Sequence, residues 1–487
     1  MLLLINNFSK FTIKMHKGLV WLRRDLRVDD HKVIAAATQE CDLVYLAFVF
    51  DENILARFVN KQDRRLSFIT DALLGINKRI KIYNSQVIVT VGNPEQVIPD
   101  MAGILGVERI YAGTDYEPSN VIRDQKVVNS LAKLDISLQL ICDHLIIPAE
   151  KILKNNQEPY KVFTPFAKAW RAHLSKADYQ LVQPNLNKLC YPSSQELNQL
   201  ETRVKLIETQ QAQEILTIVG YEYQPNLSFI VEDAAVKLQE FLDNKINNYN
   251  IERNFLARNG TSLLSPYLRF GIISIRECFR EANEIETNGA YAWVQELIWR
   301  EFYMMILFRF PHTVNLEFQP AYQYTLKWEN DPSKIKAWQE GKTGYPIIDA
   351  AMRQLNQTGW MHNRARMIAA SFLTKDLLVD WKIGEEYFAQ QLLDYDLSSN
   401  VGGWQWSAST GTDAQPYFRI FNPYTQSKNF DPQGEYIRTY VSELKQVEEQ
   451  SIHKPSEQII KYYGYLPPIV DHSAQRIKTL NLFKAVK

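Results

Sequence analysis

The chain has 487 residues, 46% of them hydrophobic and 23% charged, which is the balance of a globular protein rather than a disordered one. This length exceeds what one hydrophobic core usually supports, so we expect two or more domains. The formal net charge is zero and no apolar run is long enough to span a bilayer. A membrane protein is therefore not expected, and any binding of nucleic acid must use a local basic patch.

The cysteines and the N-terminus indicate where the protein works. The four cysteines are scattered with no Cys-x-x-Cys spacing, which argues against a disulfide framework and a zinc site and favours a reducing cytosol. The first five residues are apolar, but the run is too short for a signal peptide and no small-residue cleavage site follows. We expect residues 1–14 to be a disordered extension or a misassigned start.

Residues 15–145 alternate between strand and helix patterns. Near-continuous apolar runs, typical of strands covered on both faces, occur at residues 19–22, 42–50, 86–91, 109–112 and 137–141. Amphipathic helices over 64–82 and 118–134 lie between such runs. The alternation predicts a Rossmann-like α/β domain with a doubly wound parallel sheet. A basic loop at 23–27 replaces the G-x-G-x-x-G turn, and either a solvated loop or a ligand site fits it.

The rest of the chain divides into a connection and a helical part. Repeated prolines and frequent Asn, Gln and Ser indicate an interdomain linker at residues 146–225, with one helix near 166–174. Beyond it strand patterns almost vanish, and helical patterns cover residues 231–247, 275–282, 290–308, 332–339, 347–357, 363–374 and 382–393. Residues 226–487 are therefore predicted to form an all-α domain.

Tryptophan is concentrated in the helical part, where eight of the ten lie between Trp293 and Trp406. In the predicted helix over 290–308, Glu296, Trp299, Arg300 and Tyr303 are spaced i, i+3, i+4 and i+7, so they share one face. One interpretation is an amphipathic face with an ion pair between Glu296 and Arg300. The other is a cavity wall, in which Trp299 stacks on a base and Glu296 bonds its edge.

A second segment combines arginines and carboxylates. Asn363 shares a helical face with Arg366, whereas Arg364 is expected to point elsewhere. Arginines in an apolar helix are costly to bury without a partner, so Asp394 and Asp396 are candidate partners for Arg366. Either a structural ion pair between helices or a pair set against a cofactor ring fits this pattern.

Two loops complete the candidate site. Residues 260–266 place hydroxyls at a helix start, where free backbone N–H groups and the positive end of the helix dipole suit a phosphate. Ser or Thr before Pro also caps many helices, so this pattern has a purely structural explanation too. Asn400 precedes a predicted turn at Gly402 and Gly403. Together these residues favour a planar cofactor and an anionic, base-like ligand, but they define no reaction.

At residues 338–367 and 394–421 the chain resembles the photolyase/cryptochrome family, and within it the bacterial class I cyclobutane pyrimidine dimer photolyases. The resemblance extends over residues 18–480. It implies a reduced, non-covalent FAD in the helical domain. By matching motif positions, the cofactor-binding residues would be Tyr249, Thr261, Ser262, Leu263, Leu264, Ser265, Trp293, Asn363, Arg366, Asp394, Tyr395, Asp396 and Asn400.

The resemblance also implies that the partner is DNA, single- or double-stranded, that carries a pyrimidine dimer. Excited reduced flavin would donate one electron to the flipped-out dimer, the cyclobutane ring would split, and the electron would return. Extruding the dimer costs a few kcal/mol, and less for a damaged pair. The implied DNA-binding residues are Arg253, Glu296, Trp299, Arg300, Tyr303, Asn363, Arg364, Met367, Trp406, Arg419 and Gln426.

The same resemblance implies five residues with roles in the chemistry. Glu296 would contact the dimer, and Asn400 would lie near flavin N5 and support the reduced state. Trp404, Trp381 and Trp328 match the family's chain of tryptophans that re-reduces oxidised flavin and is not needed for repair itself.

The N-terminal domain fits the family less closely. Ser119 and Asn120 stand where folate-binding members carry an Asn-Glu pair, so the second, antenna chromophore could be a folate, a deazaflavin or another flavin, or be absent. Leu263 stands where many photolyases have Arg and should contribute only backbone contacts. The family implies a cytoplasmic monomer with no metal and no obligate protein partner.

Three other functions are weaker expectations. A cryptochrome photoreceptor has the same fold and flavin, but signalling members usually carry a long C-terminal tail, and Asn400 in place of Cys or Asp favours reduced flavin. A (6-4) photolyase has a His pair, whereas here His362 has no partner and Met367 occupies the second place. A scaffold protein would leave the tryptophans and arginines unexplained. Repair of cyclobutane dimers is therefore the expected function.

Overall fold

The computed structural model describes residues 15–225 and 228–486, so the predicted extension at residues 1–14 lies outside the described residues. An N-terminal α/β part is followed by a helical part, which confirms the predicted fold class. Within the described ranges no helix has both the length and the apolar character that crossing a membrane requires.

A six-stranded sheet forms the centre of the N-terminal part. Its strands are β1 (Lys17–Leu22), β2 (Leu43–Asp51), β3 (Val87–Gly92), β4 (Arg109–Gly113), β5 (Ser137–Ile141) and β6 (Lys205–Leu206). Their order is β5-β4-β1-β2-β3-β6, and all neighbours run parallel except β6, which is antiparallel to β3. The five predicted strands are confirmed to within two residues. The sixth was not predicted, because two residues carry no periodicity.

Helices cover both faces of this sheet, as its continuous apolar strands require. They are α1 (Lys32–Glu40), α2 (Glu52–Leu55), α3 (Arg64–Ile80), α4 (Pro94–Leu105) and α5 (Pro118–Ala132). Successive strand side chains alternate, so Leu19 and Trp21 pack in one core with α4 and α5. Val20 and Leu22 pack in another core, which continues without interruption into the helical part.

The connecting segment is more structured than the single predicted helix. It contains β6 and four helices, α6 (Phe163–His173), α7 (Lys176–Tyr179), α8 (Ser194–Glu201) and α9 (Ala212–Val219). Helix α6 is the one that the sequence predicts, and it begins three residues earlier than expected. The domain boundaries themselves stay a prediction.

The helical part begins with α10 and has no strand within the described residues. Its helices are α10 (Ala234–Asn244), α11 (Tyr249–Glu252), α12 (Ser265–Arg269), α13 (Ile275–Asn283), α14 (Asn288–Arg309), α15 (Pro332–Gln339), α16 (Pro346–Thr358), α17 (Asn363–Ser371), α18 (Trp381–Gln391), α19 (Leu397–Ala408), α20 (Pro423–Phe430), α21 (Glu435–Tyr440), α22 (Glu449–Ile452), α23 (Glu457–Tyr463) and α24 (His472–Lys484). A π-helix, Phe372–Asp376, follows α17 where the sequence predicts α-helix.

The basic loop after β1 is not solvated, so that interpretation of it is wrong, while the ligand-site interpretation stays a prediction. Arg23 pairs with Asp124 at 2.7 Å, and Arg27 pairs with Asp143 at 2.5 Å. Arg24 reaches across to the helical part. All three guanidinium groups are buried in ion pairs, because the loop is covered by the helical part and buried cations need anionic partners.

Candidate active site

A cavity of about 590 Å³ lies in the helical part, which is a usual size for a cofactor site. Its wall collects residues from segments that are far apart in sequence. The predicted site residues that line it are Tyr249, Arg253, Thr261, Ser262, Leu263, Leu264, Ser265, Trp293, Glu296, Trp299, Arg300, Tyr303, Asn363, Arg364, Arg366, Met367, Asp394, Tyr395, Asp396, Asn400, Trp404 and Trp406. The predicted cofactor-binding and DNA-binding sets therefore share one cavity, while the role of each residue stays a prediction.

Helix α14 presents Glu296, Trp299, Arg300 and Tyr303 to the cavity, as the helical spacing predicts. The alternative ion pair between Glu296 and Arg300 is wrong. Glu296 pairs instead with Arg253, at the end of α11. Arg300 donates a hydrogen bond to the carbonyl oxygen of His144 at 2.6 Å, and burial lowers its pKa to about 10.

One face of the Trp299 ring is already occupied. The ring of Phe163, the first residue of α6, lies parallel to it with centroids 3.6 Å apart and an interplanar angle of 7°. Phe302 meets Trp299 edge-on at 5.6 Å. The Phe163 backbone N–H donates to the carboxylate of Asp413, which ties this ring to the loop after α19. Tyr303 also lies against this ring, with centroids 5.5 Å apart, and Trp299 still lines the cavity.

The predicted pair of Arg366 and Asp394 is present. Arg366 Nη2 donates to Asp394 Oδ2 at 2.7 Å, and Arg366 Nε donates to the carbonyl oxygen of Met361 at 2.8 Å. The other carboxylate oxygen, Asp394 Oδ1, is inaccessible to solvent and has no hydrogen-bond partner among the described residues. A buried acceptor without a donor is costly, so this atom suits an N–H group of a ligand in the cavity.

Asp396 is not a partner of Arg366, contrary to the alternative that the sequence left open. Its Oδ2 accepts a hydrogen bond from Arg24 Nη2 at 2.6 Å. The reason is positional: Asp396 caps the N-terminus of α19, and its Oδ1 accepts from the backbone N–H of Ser399 at 3.0 Å. The carboxylate therefore faces the loop after β1 instead of α17.

Arg364 also lines the cavity, so the expectation that it points elsewhere is wrong. Its Nη2 donates to Asn254 Oδ1 at 2.6 Å, and its guanidinium lies 4.3 Å from the centre of the Phe430 ring. Arg364 Nη1 also lies 3.8 Å from Met367 Sδ. The long side chain reaches from α17 to the residues after α11. Helical spacing gives only the direction of the Cα–Cβ bond and so could not predict this reach.

Asn400 lies on the first turns of α19, and Gly402 and Gly403 form no turn, because α19 continues through both. A Cβ at Gly402 would lie 2.2 Å from Tyr303 Cδ1, so glycine permits close packing of α19 on α14. Asn400 Nδ2 donates to the carbonyl oxygen of Glu385 at 3.1 Å and to its Oε1 at 2.9 Å. Burial raises the pKa of Glu385, which also accepts a hydrogen bond from Tyr395.

The hydroxyl-rich loop forms another part of the cavity wall. Thr261, Ser262 and Ser265 all line the wall, and α12 begins at Ser265. Leu263 has a φ of 55°, a left-handed conformation that is uncommon for a non-glycine residue and that occurs where surrounding structure imposes it. Trp360 Nε1 donates to Ser265 Oγ at 3.3 Å and so holds the start of α12.

Four predicted residues lie outside the cavity wall. Trp381 is fully buried at the start of α18 and donates from Nε1 to Glu317 Oε1 at 3.1 Å. Trp328 is half-buried and meets Phe483 edge-on at 6.4 Å. Arg419 is exposed in the loop before α20, and Gln426 is half-buried within α20. Among the described residues, the ring of Trp338 contacts that of Trp404, with centroids 6.0 Å apart.

Several wall residues were not predicted. Trp360, Met361 and His362 adjoin predicted positions, so their place in the motif was a usable signal. Arg269 also lines the wall, and its Nε donates to the carbonyl oxygen of Tyr395. No sequence pattern marks Arg269, because only the folded chain brings it to that carbonyl.

Comparisons with known proteins agree with this architecture. Residues 18–185 match the family model described as DNA photolyase, and residues 293–485 match the FAD binding domain of DNA photolyase. A deoxyribodipyrimidine photo-lyase of Alkalihalophilus pseudofirmus is 36% identical over 481 residues, which cover 96% of this chain and 97% of that protein.

Two solved structures are similar over nearly their whole length. A bacterial class III photolyase from Agrobacterium tumefaciens has a TM-score of 0.83 and 30% identity, and the match covers 99% of both chains. An archaeal photolyase from Sulfolobus tokodaii, solved with two FAD molecules, has a TM-score of 0.81 and 30% identity, and the match covers 96% of this chain and 100% of that one.

An α/β part joined to a helical part, with a cavity lined by aromatic, hydroxyl and paired charged groups, defines a class of proteins that hold a large planar cofactor. The match to the FAD binding domain, residues 293–485, includes the part of the cavity wall from Trp293 to Ser407. The chain belongs to the DNA photolyase family, and the resemblance seen in the sequence is confirmed.

Proposed function

We propose that this chain is a light-dependent DNA repair enzyme, a deoxyribodipyrimidine photo-lyase that returns cyclobutane pyrimidine dimers to two pyrimidines. One observation carries the proposal. The residues predicted to hold FAD and those predicted to hold the dimer line a single cavity, so both ligands would share it. The names of the curated relatives support the same activity.

The cavity wall suits FAD. Hydroxyls of Thr261, Ser262 and Ser265 would bind its phosphates and ribityl chain, while Asp394 Oδ1 supplies an acceptor that has no donor among the described residues. Asn400 is held by Glu385 through its amide N–H groups, which leaves its Oδ1 to accept a hydrogen bond from the cofactor. When bound and reduced, FAD supplies the photoexcited electron for splitting the dimer.

The aromatic side of the cavity suits an extruded dimer. Trp299 and Trp406 would flank the two bases, and Met367 would also contact them. Glu296 would accept a hydrogen bond from a base edge, and its ion pair with Arg253 orients the carboxylate. A pocket that excludes water around the dimer also protects the electron transfer from competing reactions.

A local basic rim would bind the DNA backbone, since the net charge is zero. Arg253 and Arg364 line the cavity. Arg419 is exposed in the loop between α19 and α20. Gln426 would add a polar contact from α20. Arg300 was predicted to bind DNA, but its bond to the His144 carbonyl supports a place on the inner wall of the cavity. Such contacts position the duplex without reading its sequence.

The re-reduction route through Trp404, Trp381 and Trp328 rests on the family resemblance. Trp404 lines the cavity and packs against α18, where a Cβ at Gly384 would lie 2.1 Å from its ring. Trp381 begins the same helix. Close packing of Trp404 on this helix supports the first part of the route, and replacement of Trp328 would test the last step.

The remaining expectations concern context. All four cysteines are free thiols, which supports a reducing cytosol as the place of work. A monomer without an obligate protein partner stays a prediction of the family resemblance. A folate or deazaflavin antenna in the N-terminal domain stays a prediction of the family resemblance.

The test combines spectroscopy with a repair assay. The purified protein should show flavin absorption bands, and it should repair an oligonucleotide with one cyclobutane dimer under blue light but not in the dark. An oligonucleotide with a (6-4) photoproduct serves as the matched control and should stay unrepaired. Flavin bands without repair would transfer the proposal to a photoreceptor, and repair in the dark would contradict it.

A further inference from the structure

A buried cluster of charges joins the N-terminal domain to the cavity wall. It contains three cations and three anions, drawn about equally from both parts of the chain: Arg24, Asp115, Glu117, Arg269, Arg300 and Asp396. Three of its members, Arg269, Arg300 and Asp396, line the cavity, whereas Arg24 comes from the loop after β1 and does not. The cavity wall is thus backed by a residue of the N-terminal domain.

Arg24 is the centre of this cluster. Its Nη2 lies 2.6 Å from Asp396 Oδ2, and its Nη1 lies 3.3 Å from Glu117 Oε1 and 3.7 Å from Asp115 Oδ1. Glu117 in turn lies 3.6 Å from Arg269 Nη2. The side chains of Arg24 and Asp396 are each only 9% exposed, so water does not screen this pair.

Asp396 transmits the position of Arg24 to the cavity. It is the N-cap of α19, where its Oδ1 accepts from the backbone N–H of Ser399 at 3.0 Å and from the hydroxyl of Ser398. Both carboxylate oxygens are therefore in use, one for the cap and one for Arg24. Helix α19 carries Asn400 and Trp404 into the cavity, so the orientation of its first turn fixes where they lie.

The electrostatics favour the same role. Burial alone would raise the pKa of Asp396, but Arg24 and then Arg269 and Arg300 hold it below its ordinary value. The carboxylate therefore stays ionised and keeps its capping bonds. A buried carboxylate that loses its main cation takes up a proton or moves, and either change alters the start of α19.

We propose that Arg24 is a positioning residue of the cofactor site, contributed by the N-terminal domain, that fixes Asn400 against the cofactor by holding Asp396 at the start of α19. The inference rests on the proposed function, because it takes FAD as the ligand of the cavity. It assigns to the N-terminal domain a part in flavin binding that is separate from any antenna chromophore.

The experiment measures FAD binding by Arg24→Gln, Asp396→Asn and the double variant. FAD is removed from each protein, and its rebinding is followed by quenching of flavin fluorescence and by circular dichroism in the visible flavin bands. Arg24→Gln should bind FAD roughly 10- to 100-fold more weakly, the usual cost of removing an outer partner of a ligand-binding group in metal sites. Because Arg24 acts through Asp396, the double variant should bind FAD no more weakly than the single variant with the lower FAD affinity.

Arg27→Gln is the matched control. Arg27 belongs to the same loop, pairs with Asp143 and donates to the Gly271 carbonyl oxygen of the helical part at 3.1 Å, yet neither Arg27 nor Gly271 lines the cavity. Arg27→Gln should lower thermal stability as Arg24→Gln does. Its FAD affinity should change less than about threefold, since sites that share no partner seldom couple. Arg24→Lys keeps the charge with one donor group and should recover part of the affinity.

The outcomes separate the two proposals. If the unaltered chain binds no flavin and repairs no dimer, the proposed function fails. Suppose instead that the unaltered chain binds FAD and repairs dimers. The role of Arg24 alone is then refuted if the FAD affinity of Arg24→Gln equals that of Arg27→Gln. It is also refuted if the effects of Arg24→Gln and Asp396→Asn on FAD affinity simply add. Should Arg24→Gln not fold, Arg24→Lys decides, because unchanged flavin dichroism in that variant also overturns the inference.

Discussion

Trp299 gives the sharpest test of the dimer pocket. The Phe163 ring covers one of its faces at 3.6 Å, so the Trp299→Ala change removes one stacking platform for a base and one aromatic pair inside the protein. Loss of one platform should weaken binding of dimer-containing DNA by about 1–3 kcal/mol. That range corresponds to a dissociation constant about 5- to 150-fold higher, at about 1.4 kcal/mol for each factor of ten.

The structural cost of the same change is separable. The lost pair with Phe163 should lower the free energy of unfolding by about 0.5–1.5 kcal/mol beyond the lost burial of the side chain. Trp299→Phe keeps an aromatic ring over Phe163 and should lose less in both measurements. Tyr291→Ala is the control on the same helix, because Tyr291 is 56% exposed and does not line the cavity.

The assay is fluorescence anisotropy in the dark, with labelled oligonucleotides that do or do not carry a dimer. Trp299→Ala should lose affinity for the damaged strand and little for the undamaged one, while Tyr291→Ala should match the unaltered chain. An affinity of Trp299→Ala for damaged DNA within twofold of that of the unaltered chain, at equal FAD content, would remove Trp299 from the pocket.

Three further changes test other parts of the site. Burial, then Arg364 and Arg366, lower the pKa of His362 from 6.5 to about 4. Between these two pH values the folded state binds fewer protons than the unfolded one. The free energy of unfolding should therefore fall by about 3 kcal/mol as the pH drops from 6.5 to 4. His362→Asn keeps a helix cap but cannot titrate, and denaturant unfolding at several pH values should show that this dependence is gone; a dependence that persists would contradict the assignment. Trp328→Phe should prevent light-driven reduction of oxidised flavin, followed by loss of its absorption, yet spare repair by chemically reduced enzyme; a matching fall in repair would refute the proposed route. Arg419→Ala should weaken DNA binding and reduce the slope of log K against log salt concentration by about 0.9, the value for one phosphate contact, and an unchanged slope would exclude that contact.

Local periodicity predicted the parts of this protein that local physics determines. The buried strands follow from continuous apolar runs, and the face of α14 that lines the cavity follows from the spacing of Glu296, Trp299, Arg300 and Tyr303. The family motifs then predicted a set of cofactor-binding and DNA-binding residues, most of which line one cavity in the structure. These predictions depend only on the repeat of the helix, the repeat of the strand and the identity of side chains.

Partners distant in sequence could not be predicted in this way. Spacing suggested that Glu296 pairs with Arg300 and left Asp396 as a partner for Arg366, but the partners are Arg253 and Arg24. Each such choice is settled by which element packs nearby, and a single sequence carries no record of that. A helix likewise replaces the predicted Gly402–Gly403 turn. The close approach of Tyr303 accounts for Gly402, whereas a Cβ at Gly403 would meet nothing within 4 Å.

The two edges of the sheet differ in how they are covered. At one edge, β6 pairs with β3 through Thr90–Leu206 and Val91–Lys205, so the connecting segment covers backbone groups that would otherwise be open to another strand. At the other edge, β5 ends the sheet with Leu140 42% exposed. Open, apolar edges are templates for association between chains. Aggregation of partly folded copies should therefore begin at β5. Leu140→Lys should suppress it, and Leu140 does not line the cavity.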